Sequence, residues 1–373
     1  MNNPRAMTES IRPEMLKMGR ILRGKTQRQL ADETGIDQAL ISKYENGRPI
    51  PESDLETIAA TLQLPEKFFY RHINIHSPNG ASMLMFRRRQ TTTGKMQEQV
   101  SMEMNRLSDN VRVLLDSVDL QTISVVPFYE PKTGSSEEIE SIAERVRLEL
   151  RIPRGPIKSM TRVLESIGVV IVRRRMPTKI DALVDSTPGS PTILLLSEDL
   201  LGGRQRFTLA HELAHMVMHT ALNFTYENLE WQADYFASAF LMPEHDIKSK
   251  LRNLTMERLI ALSTEWRVSV QALVRRAFDL GVISERQYRS WNEQLGKSGY
   301  RTSEPYTIPI EEPSLLSSLI RIHMNDLQYT VTELADALAM EEWEFRHNFL
   351  GERTLHIIPK SKKPILRLSV ESS

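Results

Sequence analysis

The sequence predicts a multidomain, mainly helical protein. It comprises an N-terminal unit of five short helices, a central α+β unit with a small sheet, and a small helical C-terminal unit. Three observations predict this. The chain has 373 residues, enough for two or three domains at about 100–200 residues each. Apolar residues recur at helical spacing over 11–70 and again from Gly203 to about Gln294, a period of about 3.6 that marks amphipathic helices. Between these stretches lie three short apolar runs of strand type, Val169–Val172, Ala182–Asp185 and Thr192–Leu196, the last two separated by Ser-Thr-Pro-Gly-Ser-Pro turn chemistry.

Residues 1–10 are polar and are expected to form a flexible N-terminus. Helical spacing starts with Met15, Leu16, Met18 and Ile21, stops at Gly24, and continues through four further segments to Tyr70, giving a domain at 11–72. Residues 73–134 read as a linker carrying one helix. The pattern lapses in His-Ser-Pro-Asn-Gly and Arg87-Arg88-Arg89, then a polar, Met-containing helix is expected over about 94–117. Ser135 and Glu138 form a helix-start signature, Pro156 opens a further helix that stops at Gly168, and the α+β domain extends over 135–298. Pro305, Pro309 and Pro313 mark the next boundary. The remaining 299–373 hold a helical module at 314–350 and a basic tail at 359–364, and Thr332-Glu333-Leu334-Ala335-Asp336 faintly echoes Arg28-Gln29-Leu30-Ala31-Asp32.

Composition narrows the function. Lys+Arg and Asp+Glu number 48 each, so the chain does not coat nucleic acid or membrane through a net positive field. A small base-reading surface survives that argument. There is no cysteine, which removes disulfides, thiolate metal sites, iron–sulfur clusters and cysteine nucleophiles. Any metal must be held by His and carboxylate. The first 25 residues lack an apolar core and no stretch approaches 18 apolar residues, so a cytoplasmic protein without a membrane partner is expected.

Residues 26–47 carry the first motif. Thr26 can cap a helix with Leu30 and Ala31 inward, Gly35 supplies a turn, and Asp37 can cap a second helix with Leu40, Ile41 and Tyr44 inward. Two short helices across a Gly turn form a helix-turn-helix, whose second helix enters the major groove of double-stranded DNA. Its outward positions are Asp37, Gln38, Ala39, Ser42 and Lys43. Gln38 can bond adenine in bidentate fashion and Lys43 can reach guanine or phosphate. Gln27 suits a phosphate contact, and Asn46 and Arg48 can hold the backbone beyond the helix. A five-helix packing module would show part of this pattern. Thr-Gln-x-x-Leu-Ala, Gly, then Ile-Ser-x-Tyr-Glu-Asn-Gly, with Pro51 opening the next helix, resembles the Xre/Cro-like helix-turn-helix family over about 11–70. The resemblance implies operator binding. Because residues 1–72 are nearly charge-balanced and one reader contacts one half-site, a homodimer is expected.

The second motif is His211-Glu212-x-x-His215. Histidines four apart share a helix face, so they can share Zn²⁺, with the intervening Glu212 as general base on water. A catalytic zinc needs a third protein ligand. Glu230 is the best candidate, with Glu227 and His219 competing, and Asp234 can accept a hydrogen bond from a ligand imidazole. His219 also reads as a half-exposed helix-end histidine; with Tyr226 and Tyr235 it is a candidate oxyanion donor. Arg206-Phe-Thr-Leu-Ala-His-Glu-Leu-Ala-His, then Glu230-x-x-Ala-Asp-x-Phe-Ala-x-x-Phe-Leu-Met-Pro243, resembles the ImmA/IrrE family of bacterial metallopeptidases over about 135–290. The resemblance implies a zincin-like domain with zinc on His211, His215 and Glu230 and with Glu212 as base. It also implies an endopeptidase that cleaves a helix-turn-helix repressor in a mobile-element, toxin–antitoxin or stress setting. Here the chain carries its own reader, so the expected function is a DNA-binding regulator that cuts itself or a partner repressor. The alternative is a repressor or antitoxin, paired with a toxin encoded nearby, whose metal domain is structural or sensory. A third reading is a peptidase that uses the reader only to recruit substrate. The outward residues Gln271, Arg275 and Arg276 farther along do not decide between DNA, protein and solvent.

Overall fold

The computed structural model describes residues 11–352 except 74, 76–83, 87–93, 119–127, 177–179, 188–189, 220–225 and 301–306. The N-terminal residues 1–10, Arg87-Arg88-Arg89 and the basic tail lie outside the described residues.

The N-terminal unit comprises α1 (Pro13–Leu22), α2 (Gln27–Thr34), α3 (Gln38–Glu45), α4 (Glu52–Leu62) and a 3₁₀ turn, Glu66–Tyr70. Its boundaries follow from capping chemistry. Thr26 and Gln29 satisfy each other's backbone N–H groups in a capping box, Gly35 ends α2 at φ 74°, and the Asp37 carboxylate accepts from the Ala39 N–H. Such caps are each worth about 1 kcal/mol. Leu30, Ile41, Tyr44, Ile58, Leu62, Phe68 and Phe69 form the core.

The central unit contains β1 (Leu84–Phe86), α5 (Gly94–Leu115), α6 (Ser136–Glu149), α7 (Met160–Ser166), β2 (Val170–Arg174), β3 (Ala182–Asp185) and β4 (Ile193–Ser197). Then come α8 (Gly202–Met218) and α9 (Tyr226–Leu241). The sheet order is β1-β3-β4-β2. The β2–β4 pair is parallel and the other two pairs are antiparallel. Successive strand residues face opposite sides. Ile171, Ala182, Val184, Leu194 and Leu196 therefore join the core of α8 and α9, whereas Val170, Val172, Leu183, Ile193 and Leu195 pack with Val100, Met104, Leu107 and Val111 of α5. Strands covered on both faces read as continuous apolar runs. The segment 73–134, read from sequence as a linker with a helix, thus contributes an edge strand and the helix that covers one face. A three-residue strand has no periodicity to betray it.

After α9 follow α10 (Glu244–Ile247), α11 (Met256–Trp266), α12 (Val270–Asp279) and α13 (Glu285–Lys297). Arg276 corrects the sequence reading. It is fully buried, donates to Glu140 at 2.6 and 2.8 Å and to the Met242 carbonyl at 2.9 Å, while Arg275 stays exposed. On α12 it lies three residues beyond Leu273, on the inward stripe. Residues 307–313 then cross the start of α8. A Cβ at Gly202 would collide with the Ile308 carbonyl, Gln205 exchanges two 2.8 Å bonds with the Glu311 backbone, and the Glu311 carboxylate pairs with buried Arg206. The C-terminal unit comprises α14 (Leu315–Arg321), a π turn (Ile322–Asp326), α15 (Val331–Ala337) and α16 (Glu342–Phe349).

Candidate metal centre and DNA-reading helix

α8 carries His211, Glu212 and His215, all buried. α9 packs beside it through Ala233, Phe236, Ala237 and Phe240, the stripe expected from sequence, and so presents Glu230 to the histidines. One donor atom from each of His211, His215 and Glu230 lies within 4.8 Å of the others. His211 Nε2 and His215 Nε2 are 3.0 Å apart, and the Glu230 carboxylate oxygens stand 3.7 and 3.4 Å from them.

The remaining ring nitrogens decide what faces this point. His211 Nδ1 lies 2.8 Å from the Asp234 carboxylate, an acceptor, so Nδ1 carries the proton and Nε2 presents a lone pair. His219 Nε2 lies 3.0 Å from the Gln232 amide oxygen, and its Nδ1 lies 2.9 Å from His215 Nδ1. Burial first, and then the neighbouring His215, push His219 down to about 4, which leaves its ring neutral at pH 7. With Nε2–H donating to Gln232, His219 Nδ1 must accept from His215 Nδ1–H. In the neutral ring, the form that binds a metal, His215 Nε2 then also presents a lone pair. Two imidazole lone pairs and a carboxylate thus converge on one point, a repulsive set that a divalent cation turns attractive.

Asp234 bonds the His211 ring. His219 ends α8 as expected, but it is 2 % exposed rather than half-exposed and bonds the His215 ring. Its partner Gln232 was absent from the sequence reading, because a lone glutamine on a helix carries no pattern. Tyr235 is buried with its ring 5.8 Å from the Arg276 guanidinium. The side chains of Tyr226 and Glu227 lie outside the described residues.

In the N-terminal unit Asp37, Gln38, Ala39, Lys43, Asn46 and Arg48 are exposed, and Ser42 and Gln27 are half-buried. Asp37 is committed to its cap, and Asn46 donates to the Ser42 carbonyl at 2.7 Å. Gln38 donates to Gln27 at 3.0 Å, Gln27 donates to Glu45 at 2.8 Å, and Arg20 grips Glu45 at 2.6 and 2.9 Å. This chain of bonds, from α1 through α2 to both ends of α3, holds the candidate base-reading amide before any ligand arrives. Arg20 and Glu45 were not singled out from sequence.

Residues 16–69 match the helix-turn-helix family model, and residues 164–278 match that of the IrrE N-terminal-like domain of the M78 peptidases. The chain is a fusion of these two domains. No curated protein matches it. The IrrE-like match runs from Leu164 on α7 through α12, and so takes in His211, Glu212, His215 and Glu230. The matched helix-turn-helix domain makes the chain a DNA-binding protein, and the IrrE-like match makes the second domain metallopeptidase-like. Among the described residues no helix is long and apolar enough to cross a membrane.

Proposed function

We propose that this protein is a sequence-specific transcriptional regulator whose IrrE-like domain is a zinc-dependent endopeptidase that cleaves a repressor, itself or a partner, to relieve repression. The observation that carries the metal reading is the convergence of His211 Nε2, His215 Nε2 and the Glu230 carboxylate, with both tautomers fixed from behind. His211, His215 and Glu230 would hold the ion. Zinc, when bound, supplies Lewis-acid polarisation of a scissile carbonyl and lowers the pKa of water toward about 7. Glu212, next to His211, takes the proton of the attacking water and passes it to the leaving amine. Asp234 and the His219–Gln232 pair keep the imidazoles aimed. A mobile element, a toxin–antitoxin pair or a stress regulon is the setting, with an operator, a homodimer partner, and a repressor or cognate toxin encoded nearby as partners.

Metal addition tests the site. Zinc at about 100 times its Kd is expected to stabilise the domain by about 2.7 kcal/mol. Chelation should reverse the gain, and His211→Ala should abolish it. A thermal shift in wild type that His211→Ala retains in full would place the metal elsewhere. The proteolytic reading predicts fragments of this chain, or of a neighbouring gene product, when stressed cells are probed by immunoblot. Fragments that persist in His211→Ala/His215→Ala would refute it.

On the DNA side, Gln38→Ala and Lys43→Ala are each expected to weaken operator binding by about 1–3 kcal/mol. The Gln38 loss should fall on one base position, and a phosphate contact by Lys43 would appear as a smaller salt slope. Operator selection followed by titration at two salt concentrations measures both. Unchanged affinity and specificity in both variants would remove α3 as the reading helix.

A further inference from the structure

The C-terminal unit repeats α1–α3 of the DNA-reading unit at a displacement of 304 residues. α2 at Gln27–Thr34 is matched by α15 from Val331, and α3 at Gln38–Glu45 by α16 at Glu342–Phe349. The boundaries match as well. Thr26 and Thr330 each form a capping box with the residue three on, Gln29 and Glu333. Gly35 and Ala339 both take the left-handed conformation (φ 74° and 49°), as do Gly47 and Gly351 (φ 100° and 68°). α14 with its π turn stands where α1 does. Met15, Leu16, Leu30, Ala31 and Ile41 are buried, and so are Leu319, Ile320, Leu334, Ala335 and Phe345. The echo at 332–336 is therefore one part of a structural repeat of α1–α3, and the positions that would match α4 lie outside the described residues.

The surface has diverged. The positions of Gln38, Lys43 and Arg48 hold Glu342, His347 and Glu352, and Asp37 is matched by Glu341. Acidic groups at the leading end of a reading helix repel phosphates. The position of Leu40 holds Glu344, which is buried and accepts from Arg23 of the first unit at 3.0 and 3.1 Å and from Arg106 of α5 at 2.8 Å. Asp336 pairs with Lys67, and Ala339 joins the core of the first unit. On its other side Leu114 of α5 enters the core of the C-terminal unit, and Leu315 and Leu316 pack on the cluster beneath the sheet.

We propose that residues 315–351 are a second helix-turn-helix unit that has exchanged DNA for protein: its would-be reading helix docks on the DNA reader and on α5, and clamps the reader to the IrrE-like domain. The clamp grips Arg23, which also caps the end of α4 through the Leu62 and Gln63 carbonyls. It leaves the exposed face of α3 uncovered.

Two comparisons on the full chain test this. Glu342→Ala and His347→Ala, matched position for position with Gln38→Ala and Lys43→Ala, should leave operator affinity within about twofold, whereas the first-unit pair should lower it about fivefold or more. Equal losses from both pairs would show that the second unit also reads DNA and would overturn the exchange. Glu344→Gln and the exposed charge reversal Asp336→Lys should increase the radius of gyration in small-angle scattering and lower the hydrogen-exchange protection of the α16 amides, and Lys67→Asp should restore the Asp336→Lys variant. Unchanged scattering and unchanged exchange in both single variants would remove the clamp.

Discussion

Glu212→Gln is expected to leave zinc bound at the wild-type stoichiometry while lowering peptide cleavage by about 10²–10⁴-fold. The two halves of that result have separate causes. The proposed ligands are His211, His215 and Glu230, and the groups that bond the two rings from behind are Asp234 and His219, the latter held by Gln232. Glu212 is not one of the three proposed donors, and an amide of the same shape is expected to leave them in place. What it removes is the proton acceptor, and a neutral amide cannot take a proton from water at pH 7. A loss of that size corresponds to about 3–5 kcal/mol in the barrier. Metal analysis of the purified variant and cleavage measured in parallel check both halves. Equal cleavage and equal derepression in wild type and variant would end the peptidase reading and leave a structural or sensory metal domain. Loss of zinc in Glu212→Gln would instead assign Glu212 a place among the ligands.

Much of the candidate metal centre could be read from the chain because its geometry is local. His211 and His215 share one helix face by spacing alone, and the Ala233–Phe240 stripe announced a second helix that had to pack nearby. The residues behind the ligands could not be read this way. Whether His219 lies in solvent or against Gln232 depends on where α9 sits, a tertiary fact with no sequence period. Arg276 went wrong for a related reason. Its charge suggested solvent, yet its position on α12 is inward, and Glu140, 136 positions earlier in the chain, makes burial tolerable. The boundaries of the α2–α3 turn were legible because Thr26, Gly35 and Asp37 each have one dominant conformational use. The same logic applied to Thr330 and Gly351 would have extended the faint echo into a repeat, but Ala339 occupies a left-handed turn that sequence reasoning reserves for glycine.

Acid is expected to loosen the C-terminal unit from the reader, because Glu344 is the carboxylate on which both neighbouring arginines depend. Burial alone would raise its pKa. The charge and hydrogen bonds of Arg106, and then those of Arg23, outweigh burial and hold it at about 2, below the ordinary 4.5. The sign follows directly. A carboxylate whose folded pKa is depressed contributes its full stabilisation above about 4.5 and loses it as the pH falls toward about 2. The shift is worth on the order of 3 kcal/mol, which agrees with the about 3–5 kcal/mol expected when one partner of a buried ion pair is removed. At pH 7, Glu344→Gln should therefore lower the hydrogen-exchange protection of the α16 amides by about 10²-fold or more. As the pH is lowered, wild-type protection should fall toward that of the variant, and the gap between them should close between about pH 4.5 and pH 2. A gap that persists undiminished at pH 2 would mean that packing around Phe345 and Phe349, rather than the Glu344 charge, holds α16 in place.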